Sequence, residues 1–332
     1  MSQLESCKLA PDLQICKIIN GLWQVAGGHG VIDPKTAVSE MLNYHRAGLT
    51  TWDMADIYGP AEEFLGEFRK LLGADELAQS QALTKFVPNP GPMTRSIVEY
   101  YIDQSIKKMN VPSIDLLQFH WWDYTDASYL DALEQLTKLQ DAGKIRHIGL
   151  TNFDTIRMEK MLDKGYRLVS NQVQYSILDC RPEKKMVSFC KKNDIKLLSY
   201  GSLLGGFFSK KYLGAAEPTR ADLDTFSLQK YKNMIDAWGG WSLFQELLAA
   251  LDKIATKHAV GISNVAVRFI LDRPCVGGVI VGTRLGISEH ILENLKTFGF
   301  SLDVDDYSQI LEVTSKANDL FDVIGDCGDE YR

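Results

Sequence analysis

Eight short apolar runs, separated by segments with helical periodicity, are the feature that most constrains the fold of this chain. The runs lie at about residues 15–23, 50–55, 81–87, 114–121, 145–152, 168–175, 195–203 and 276–283. The clearest helical segment is 127–143, where leucines recur on one face and Gly143 follows as a stop signal. Similar periodicity occupies segments 34–48, 95–109 and 183–193. Repeated β-then-α units predict an α/β fold, a (β/α)8 TIM barrel with eight parallel strands.

The remaining segments indicate one domain with additions. No linker rich in serine, proline or glycine divides residues 1–332, so the sequence predicts a single barrel domain that begins with a strand or hairpin extension. Segment 204–240 is a long insert after the seventh strand, and its aromatic content predicts a lid or pocket wall. The acidic segment 318–332 is expected to be a flexible, loosely held tail.

Composition narrows the range of partners. The net charge of −7 argues against nucleic acid or an anionic membrane, because both require a basic face. No apolar stretch reaches the length of a membrane span, and no secretory signal is visible. The six cysteines include no C-x-x-C pair, which favours reduced thiols and a cytoplasmic location. The six histidines form no H-x-H or H-E-x-x-H pair, so no metal site is expected.

Polar residues cluster where predicted strands end. In the stretch TWDMADIYG (51–59), Asp53 ends the second strand and Tyr58 follows it, while Lys85 lies in the third strand and His120 ends the fourth. Each has an ordinary structural alternative: a lysine at a strand edge, a hydrogen-bonded core histidine, or an aspartate capping a turn. Strand ends of a barrel share one rim, however, and a buried lysine needs a carboxylate nearby. The four residues therefore form a candidate site.

Such a set supports proton transfer to or from an oxygen atom. A phenol is a poor acid at neutral pH, and a nearby ammonium, here that of Lys85, is expected to lower the pKa of Tyr58. Asp53 would hold the lysine charged and in place. A neutral His120 would donate a hydrogen bond to a carbonyl oxygen. The pattern predicts carbonyl protonation or, in reverse, alcohol deprotonation.

The segments DMADIYG, TKF and QFHWW resemble the catalytic tetrad of the aldo-keto reductase superfamily, including the five-residue spacing from aspartate to tyrosine. The resemblance extends from about residue 15 to 300. It implies a (β/α)8 barrel that transfers a hydride between NAD(P)H and a carbonyl, with the tetrad Asp53, Tyr58, Lys85 and His120. Asp56 matches no catalytic position in the family and is expected to be solvated or to cap a turn.

The same resemblance implies a set of nicotinamide contacts. LEQLTKLQDAGKIRHIGLTNF (133–153) is similar to a second family signature, in which Thr151 and Asn152 would bind the nicotinamide carboxamide together with Gln172. Tyr200 would stack on the nicotinamide ring, with Gly201 and Leu203 beside it. The family's first-strand G-x-G is Ile19-Asn20-Gly21 here, so the contact there would rest on Gly21, Leu22 and Trp23.

The phosphate end of the cofactor is predicted at the eighth strand. The segment VAGGHG (25–30) has the wrong spacing for a Rossmann motif. In VGGVIVGTR and ISEHILENL, the chain offers close backbone approach at Gly282 and Thr283, charge at Arg284, and Ser288 as a helix N-cap. Many NADPH-preferring members have an arginine where this chain has His290, four residues before Asn294. Arg284 nevertheless favours NADP(H) over NAD(H).

The substrate is predicted only by class. Trp23, Trp121, Trp122 and Tyr124 are candidate pocket walls, which suit apolar or sugar-ring faces equally. A small-molecule aldehyde, ketone, sugar or alcohol is the expected substrate, and a monomer is compatible with the sequence. The alternative is a regulatory or scaffold subunit that senses the nicotinamide cofactor with marginal turnover, as channel-associated members of the family suggest.

Overall fold

A computed structural model describes residues 4–27 and 32–331. Within these two ranges, ten strands form two sheets: β1 (Ser6–Ala10), β2 (Leu13–Cys16), β3 (Ile18–Gly21), β4 (Thr51–Asp53), β5 (Gln81–Phe86), β6 (Ile114–His120), β7 (Ile145–Thr151), β8 (Ser170–Gln174), β9 (Lys196–Tyr200) and β10 (Val276–Gly282). Strands β3 to β10 run parallel in chain order and close into a barrel when β10 pairs with β3. The predicted (β/α)8 barrel is therefore confirmed.

The predicted N-terminal extension is an antiparallel hairpin, β1–β2, whose apolar side chains close one end of the barrel. Leu9, Leu13 and Ile15 are buried in one cluster with residues from four barrel strands, namely Ile19, Leu83, Leu116 and Leu198. An ion pair between Glu5 and Arg268 fastens the start of the hairpin to a surrounding helix. The polar strand ends lie at the opposite end, since all barrel strands run in the same direction.

Thirteen α-helices are present in the described ranges: α1 (Pro34–Arg46), α2 (Ala61–Arg69), α3 (Ala74–Gln79), α4 (Arg95–Met109), α5 (Tyr129–Asp141), α6 (Thr155–Asp163), α7 (Met186–Asn193), α8 (Phe226–Trp238), α9 (Gly240–Lys257), α10 (Ile262–Leu271), α11 (Ile291–Lys296), α12 (Val304–Thr314) and α13 (Leu320–Ile324). Several begin at a side-chain cap; the Asp33, Thr94 and Asp154 side chains each accept from a first-turn backbone N–H. The leucines of α5 face the barrel, and Gly143 follows its end with a positive φ of 79°. None of the described helices is long and apolar enough to cross a membrane.

The insert after the seventh strand, 204–240, consists of three short 3-10 turns followed by α8. The aromatic residues that suggested a pocket wall are instead mostly buried in the core, among them Phe207, Phe208 and Trp238. They pack there because the insert has to cover its own apolar surface, as Phe207 and Phe208 do against Phe244 of α9. The insert reaches the barrel mouth through Lys230, whose ammonium lies 5.2 Å from the Tyr200 ring centroid.

The expectation of a loosely held tail is wrong for residues 318–331. Leu320 and Cys327 are buried, and the Asp326 carbonyl accepts a hydrogen bond of 3.1 Å from the buried Arg181. An acidic side chain of this segment, that of Glu330, also pairs with Arg181 at 3.0 Å. Residues 28–31, which include part of VAGGHG and His29, lie outside the described residues, as does residue 332.

Gly66 provides a test of how closely the outer helices pack. A Cβ at this buried position of α2 would lie 2.0 Å from the Lys108 carbonyl oxygen of α4. Gly66→Ala is expected to lower the free energy of unfolding by about 1–3 kcal/mol, because two backbones must separate. Gly299→Ala is the control, since a Cβ there would meet no described heavy atom within 4 Å. Equal denaturant stabilities for both variants would contradict this packing.

Candidate active site

The ends of three neighbouring strands bring the predicted residues to one rim. Asp53 ends β4, Lys85 lies near the end of β5, and His120 ends β6. Lys85 Nζ lies 2.6 Å from Asp53 Oδ2, and both side chains are almost fully buried, with 2% and 3% exposure. The same ammonium lies 4.8 Å from the ring centroid of Tyr58, which follows β4 in a turn. Sequence and structure agree on this grouping.

Burial and charge act in opposite directions on the lysine and the phenol. Burial by itself lowers the pKa of Lys85, but the Asp53 carboxylate and Tyr58 outweigh it, so the net pKa is raised and the ammonium is retained. Burial raises the pKa of Tyr58, and Lys85 only partly offsets this. The sequence argument is right about the direction of the lysine's effect. It underestimates desolvation, which leaves the phenol protonated at neutral pH.

The second oxygen of Asp53 is held by two amides. Oδ1 accepts hydrogen bonds of 2.7 Å from Gln118 Nε2 and from Gln172 Nε2, and Gln172 Nε2 also lies 2.6 Å from Gln118 Oε1. Gln118 is absent from the sequence-based site. Its signal is its position two residues before His120 on a strand, which places both side chains on the same face. Gln172 is predicted to contact the nicotinamide carboxamide, and in the structure its Nε2 donates to the Asp53 carboxylate.

Asp56 accepts a hydrogen bond of 3.2 Å from the backbone N–H of Val87, which follows the next strand. This contact joins the ends of β4 and β5 rather than capping a local turn, and the carboxylate is half-buried rather than solvated. Burial raises the pKa of Asp56 to about 7; the Val87 N–H opposes this shift, and the nearby Glu62 carboxylate adds to it.

Two of the four predicted pocket aromatics flank the reactive groups. Trp23 is 38% exposed and meets Tyr58 edge-on at 5.0 Å, and Trp122 packs 4.3 Å from the His120 ring. Trp121 was a wrong assignment: it is fully buried, and its indole N–H donates to the Asp123 carbonyl at 2.7 Å. It points outward because successive residues of an extended chain face opposite sides.

Tyr124, the fourth predicted pocket aromatic, contacts the backbone of Asn152 in the candidate nicotinamide site. Its hydroxyl donates to the Asn152 carbonyl at 2.9 Å. Asn152 has a φ of 58°, a left-handed conformation that asparagine tolerates better than most residues. Its side-chain Oδ1 accepts from the Tyr200 hydroxyl at 2.9 Å. Thr151 lies beside it, and within the described residues its buried Oγ1 has no hydrogen-bond partner.

The residues predicted to contact the cofactor through their backbone differ in how much space surrounds them. Gly201 has a φ of 73°, and a Cβ there would lie 2.5 Å from the Tyr231 hydroxyl; Leu203 beside it is half-buried. A Cβ at Gly21 would meet the Ile280 side chain at 2.6 Å, so glycine is required where β3 and β10 pair. Leu22 is fully buried. These glycines are explained by packing whether or not a ligand binds.

The turn after β10 is built differently from the prediction. Ser288 does not cap the next helix; α11 begins at Ile291 with His290 at the N-cap, and Ser288 pairs with Arg284 in a β-bridge. The backbone N–H of Ile291 donates to the Glu289 carboxylate at 2.8 Å, and that of Gly286 donates to Glu40. Carboxylates of the protein therefore already occupy two donors that an anion would use.

The other residues of this turn differ in how exposed they are. Arg284, His290 and Gly282 are exposed, Asn294 is half-buried, and Thr283 is buried. A Cβ at Gly282 would lie 2.2 Å from Nε2 of the Gln24 side chain, which would have to shift. Because Arg284 is exposed, its guanidinium is accessible to a phosphate group.

Residues 326–331, here called the mouth segment, lie over this end of the barrel. The Glu330 carboxylate lies 3.0 Å from Arg181 and 3.1 Å from the Tyr200 hydroxyl, whose single proton it shares with Asn152 Oδ1. Tyr331 meets the His120 ring edge-on at 6.4 Å and accepts a hydrogen bond from Lys230. Burial alone would raise the pKa of Glu330, but the charges of Arg181 and Lys230 lower it below its usual value. Sequence reasoning missed these contacts, because they join residues far apart in the chain.

The fold and this rim define a barrel with a buried acid–base cluster at the carboxyl ends of its strands, and comparisons with known proteins identify its family. The sequence model of the aldo/keto reductase family matches residues 17–315. An aldo-keto reductase of Bacillus subtilis, YhdN, is 27% identical over 325 residues, covering 94% of this chain and 93% of that protein. A glycerol dehydrogenase structure from Gluconobacter oxydans superposes with a TM-score of 0.78 at 21% identity, covering 94% and 95% of the two chains.

A further relative is the flagellar radial spoke protein 5 of Chlamydomonas reinhardtii, 30% identical over 260 residues. The match covers 67% of this chain but only 49% of that protein. The chain belongs to the aldo/keto reductase family. It is an enzyme of the aldo-keto reductase type, an oxidoreductase that uses a nicotinamide cofactor.

The mouth segment can be tested through its buried carboxylate. Glu330→Gln is expected to lower the free energy of unfolding at neutral pH by about 1–3 kcal/mol, since Arg181 loses a charged partner. The native pKa of Glu330 is lowered, so its contribution is present above the ordinary glutamate pKa and is lost as pH falls through the native value. Denaturant unfolding measured across this acidic range provides the check.

Glu312→Gln, an exposed position on α12, is the matched control for that measurement. It should change stability by less than about 0.5 kcal/mol at every pH. A Glu330→Gln difference that persists unchanged at acidic pH would show that charge is not what holds the segment.

Proposed function

We propose that this protein catalyses the NAD(P)(H)-dependent reduction of a carbonyl, or the reverse oxidation of an alcohol, with Tyr58 as the general acid or base. The observation that carries the proposal is the buried Asp53–Lys85 pair, whose ammonium lies against the Tyr58 ring. A buried charge of this kind is costly to maintain. The neighbouring phenol explains why the charge is kept, because the ammonium stabilises the phenolate form of Tyr58.

The residues present fit a nicotinamide group. Thr151 Oγ1 is buried without a hydrogen-bond partner in the described part of the chain, beside Asn152 and Tyr200. A buried hydroxyl without a partner is unfavourable unless a ligand satisfies it, and a carboxamide offers both a donor and an acceptor. Thr151 and Asn152 would bind that carboxamide, and Tyr200 would lie against the ring. The bound nicotinamide supplies or accepts the hydride.

The side chains of the tetrad divide the proton chemistry. His120 and the Tyr58 hydroxyl would bind the carbonyl oxygen, and Tyr58 would give its proton to that oxygen as the alcohol forms. Lys85 stabilises the resulting phenolate, and Asp53 keeps Lys85 charged and oriented. Because burial raises the pKa of Tyr58, the phenol is protonated at neutral pH, as reduction requires. Oxidation needs the phenolate and is therefore expected to accelerate as pH rises.

Two features of the β10 turn bear on the choice of cofactor. Arg284 is exposed and always charged, which favours NADP(H) because the 2′-phosphate of that cofactor would bind the guanidinium. The carboxylates of Glu40 and Glu289 bind backbone N–H groups of the same turn and favour NAD(H), which lacks that phosphate. We propose NADP(H) on the charge of Arg284. Fluorescence titration with NADPH and NADH tests this, and tighter binding of NADH would reverse the assignment.

The aromatic walls indicate the substrate class. Trp23 and Trp122 flank Tyr58 and His120, so we propose an aldehyde, ketone or sugar with an apolar face against these rings.

The six cysteines, all in the described ranges, are free, which supports a reducing compartment such as the cytoplasm.

A second candidate is a cofactor-sensing subunit with marginal turnover. The observation that favours it is the mouth segment, whose Glu330 and Tyr331 lie against Tyr200 and His120 and restrict approach to the reactive rim. A panel of carbonyl substrates with NADPH separates the two candidates. Tight cofactor binding without measurable turnover on any substrate would support the sensor.

Tyr58→Phe tests the acid–base assignment. We expect the reduction kcat to fall by about 100- to 10,000-fold, because the proton donor is removed, while the cofactor dissociation constant is preserved. Tyr101→Phe, on an exposed position of α4, is the control and should retain full activity. Turnover retained in Tyr58→Phe would eliminate this tyrosine as the acid.

Thr151→Val tests the nicotinamide site without relying on turnover. The free protein is expected to keep its stability or gain some, since the lost hydroxyl has no described partner. Cofactor binding should weaken roughly three- to tenfold, the equivalent of one hydrogen bond. Thr84→Val is the matched control, because the buried Thr84 hydroxyl donates to Glu62 at 2.7 Å. It should lose stability without losing cofactor affinity.

A further inference from the structure

Two buried glutamine amides meet at the catalytic-site carboxylate. Gln118 is fully buried on β6 and Gln172 is 3% exposed on β8, yet both Nε2 atoms lie 2.7 Å from Asp53 Oδ1. They come from strands that do not pair directly with β4, so the contacts cross the interior of the barrel. An apolar side chain would fill the same space without any requirement for a partner. The amides therefore call for a reason beyond packing.

The geometry of the carboxylate supplies that reason. Asp53 Oδ2 accepts from Lys85 Nζ at 2.6 Å, and the two amides occupy Oδ1. A carboxylate with only the lysine as partner is free to rotate or to tilt toward the ammonium. With Oδ1 fixed on the far side, Oδ2 keeps one position, and Lys85 in turn keeps its place over Tyr58.

We propose that Gln118 is a positioning residue, which acts with Gln172 to fix the Asp53 carboxylate and thereby the Lys85 ammonium against Tyr58. The inference rests on the proposed function, in which Tyr58 is the acid or base. It gives the Nε2 group of Gln172 a role at Asp53, and the Oε1 atom of the same amide remains an acceptor for the predicted contact with the nicotinamide carboxamide. Gln118 itself touches neither substrate nor cofactor in this arrangement and acts through Asp53.

The direction of the effect follows from the charges around Tyr58. The charged or titratable groups that interact with it are Lys85 from β5, Asp53 from β4, Tyr331 from the mouth segment and Tyr231 from α8. Loss of an amide leaves the negative charge of Asp53 less neutralised and lets Lys85 shift toward it. Both changes destabilise the Tyr58 phenolate. The pH at which Tyr58 ionises should therefore rise.

Gln118→Met removes the amide and nearly preserves the side-chain volume. Two readouts follow Tyr58: the rising limb of alcohol oxidation against pH, and ultraviolet difference titration of the phenolate without cofactor, with Tyr58→Phe as the blank. We expect both to move upward by about one pH unit, so that oxidation below the limb slows about tenfold. Affinity for NADPH should change less than about twofold, since its contacts are untouched.

Gln174→Met is the matched control. Gln174 is a buried glutamine on β8 whose amide donates to another buried aspartate, Asp179, at 2.7 Å. It should leave the position of the limb unchanged. Gln172→Met supplies an independent second variant if Gln118→Met does not fold, and it should show the same upward shift in the phenolate titration measured without cofactor.

The outcomes separate the inference from the proposed function. A uniform loss of rate without a shift in either titration would overturn the positioning role, as would an equal shift in Gln174→Met. A large loss of NADPH affinity in Gln172→Met, with no shift, would assign Gln172 to the nicotinamide site alone and also overturn it. If Tyr58→Phe keeps its turnover, the proposed function fails. The phenolate titration still decides whether the amides position Lys85.

Discussion

The ion pair between Asp53 and Lys85 is the interaction on which the active end of this barrel depends. Removing two charges from water costs several kcal/mol per ion, and a single contact of 2.6 Å offsets this only if the remaining polar atoms are also satisfied. Here they are: the ammonium also donates to the Met54 carbonyl at 3.1 Å, and amides occupy the second carboxylate oxygen. Each partner is therefore tied to the others, and the loss of one leaves a buried charge uncompensated.

This arrangement requires the barrel to be asymmetric along its axis. At the hairpin end, Leu13, Ile15 and Leu116 pack in an apolar cluster that supplies no hydrogen-bonding partner. At the carboxyl end of the strands, the interior is filled by Asp53, Lys85 and the glutamines. The apolar half anchors the strands, and rigid strands allow long side chains to meet at hydrogen-bonding distance. Stability and chemistry are thus assigned to opposite ends of the same strands.

Whether a feature of the fold or the site could be predicted from the sequence depends on how far apart in the chain its interacting residues lie. The barrel and the grouping of Asp53, Lys85 and His120 follow from strand periodicity, because parallel strands must end on one rim. Trp121 and Ser288 were misassigned, since one residue of register or helix start changes which way a side chain points. Burial of the Tyr58 hydroxyl depends on packing around it, and no local pattern reports the resulting rise in its pKa.

The mouth segment shows contacts that the local composition of the sequence could not predict. An acidic, glycine-containing stretch has the composition of a solvated tail, yet Arg181 is buried beneath it and binds both Asp179 and Glu330. A buried guanidinium with five donors needs several acceptors, and one nearby carboxylate is not enough. Glu330 completes that set and also accepts from Tyr200, so one carboxylate links the far segment to the candidate nicotinamide site. The requirement to satisfy a buried arginine therefore determines how the rim is enclosed.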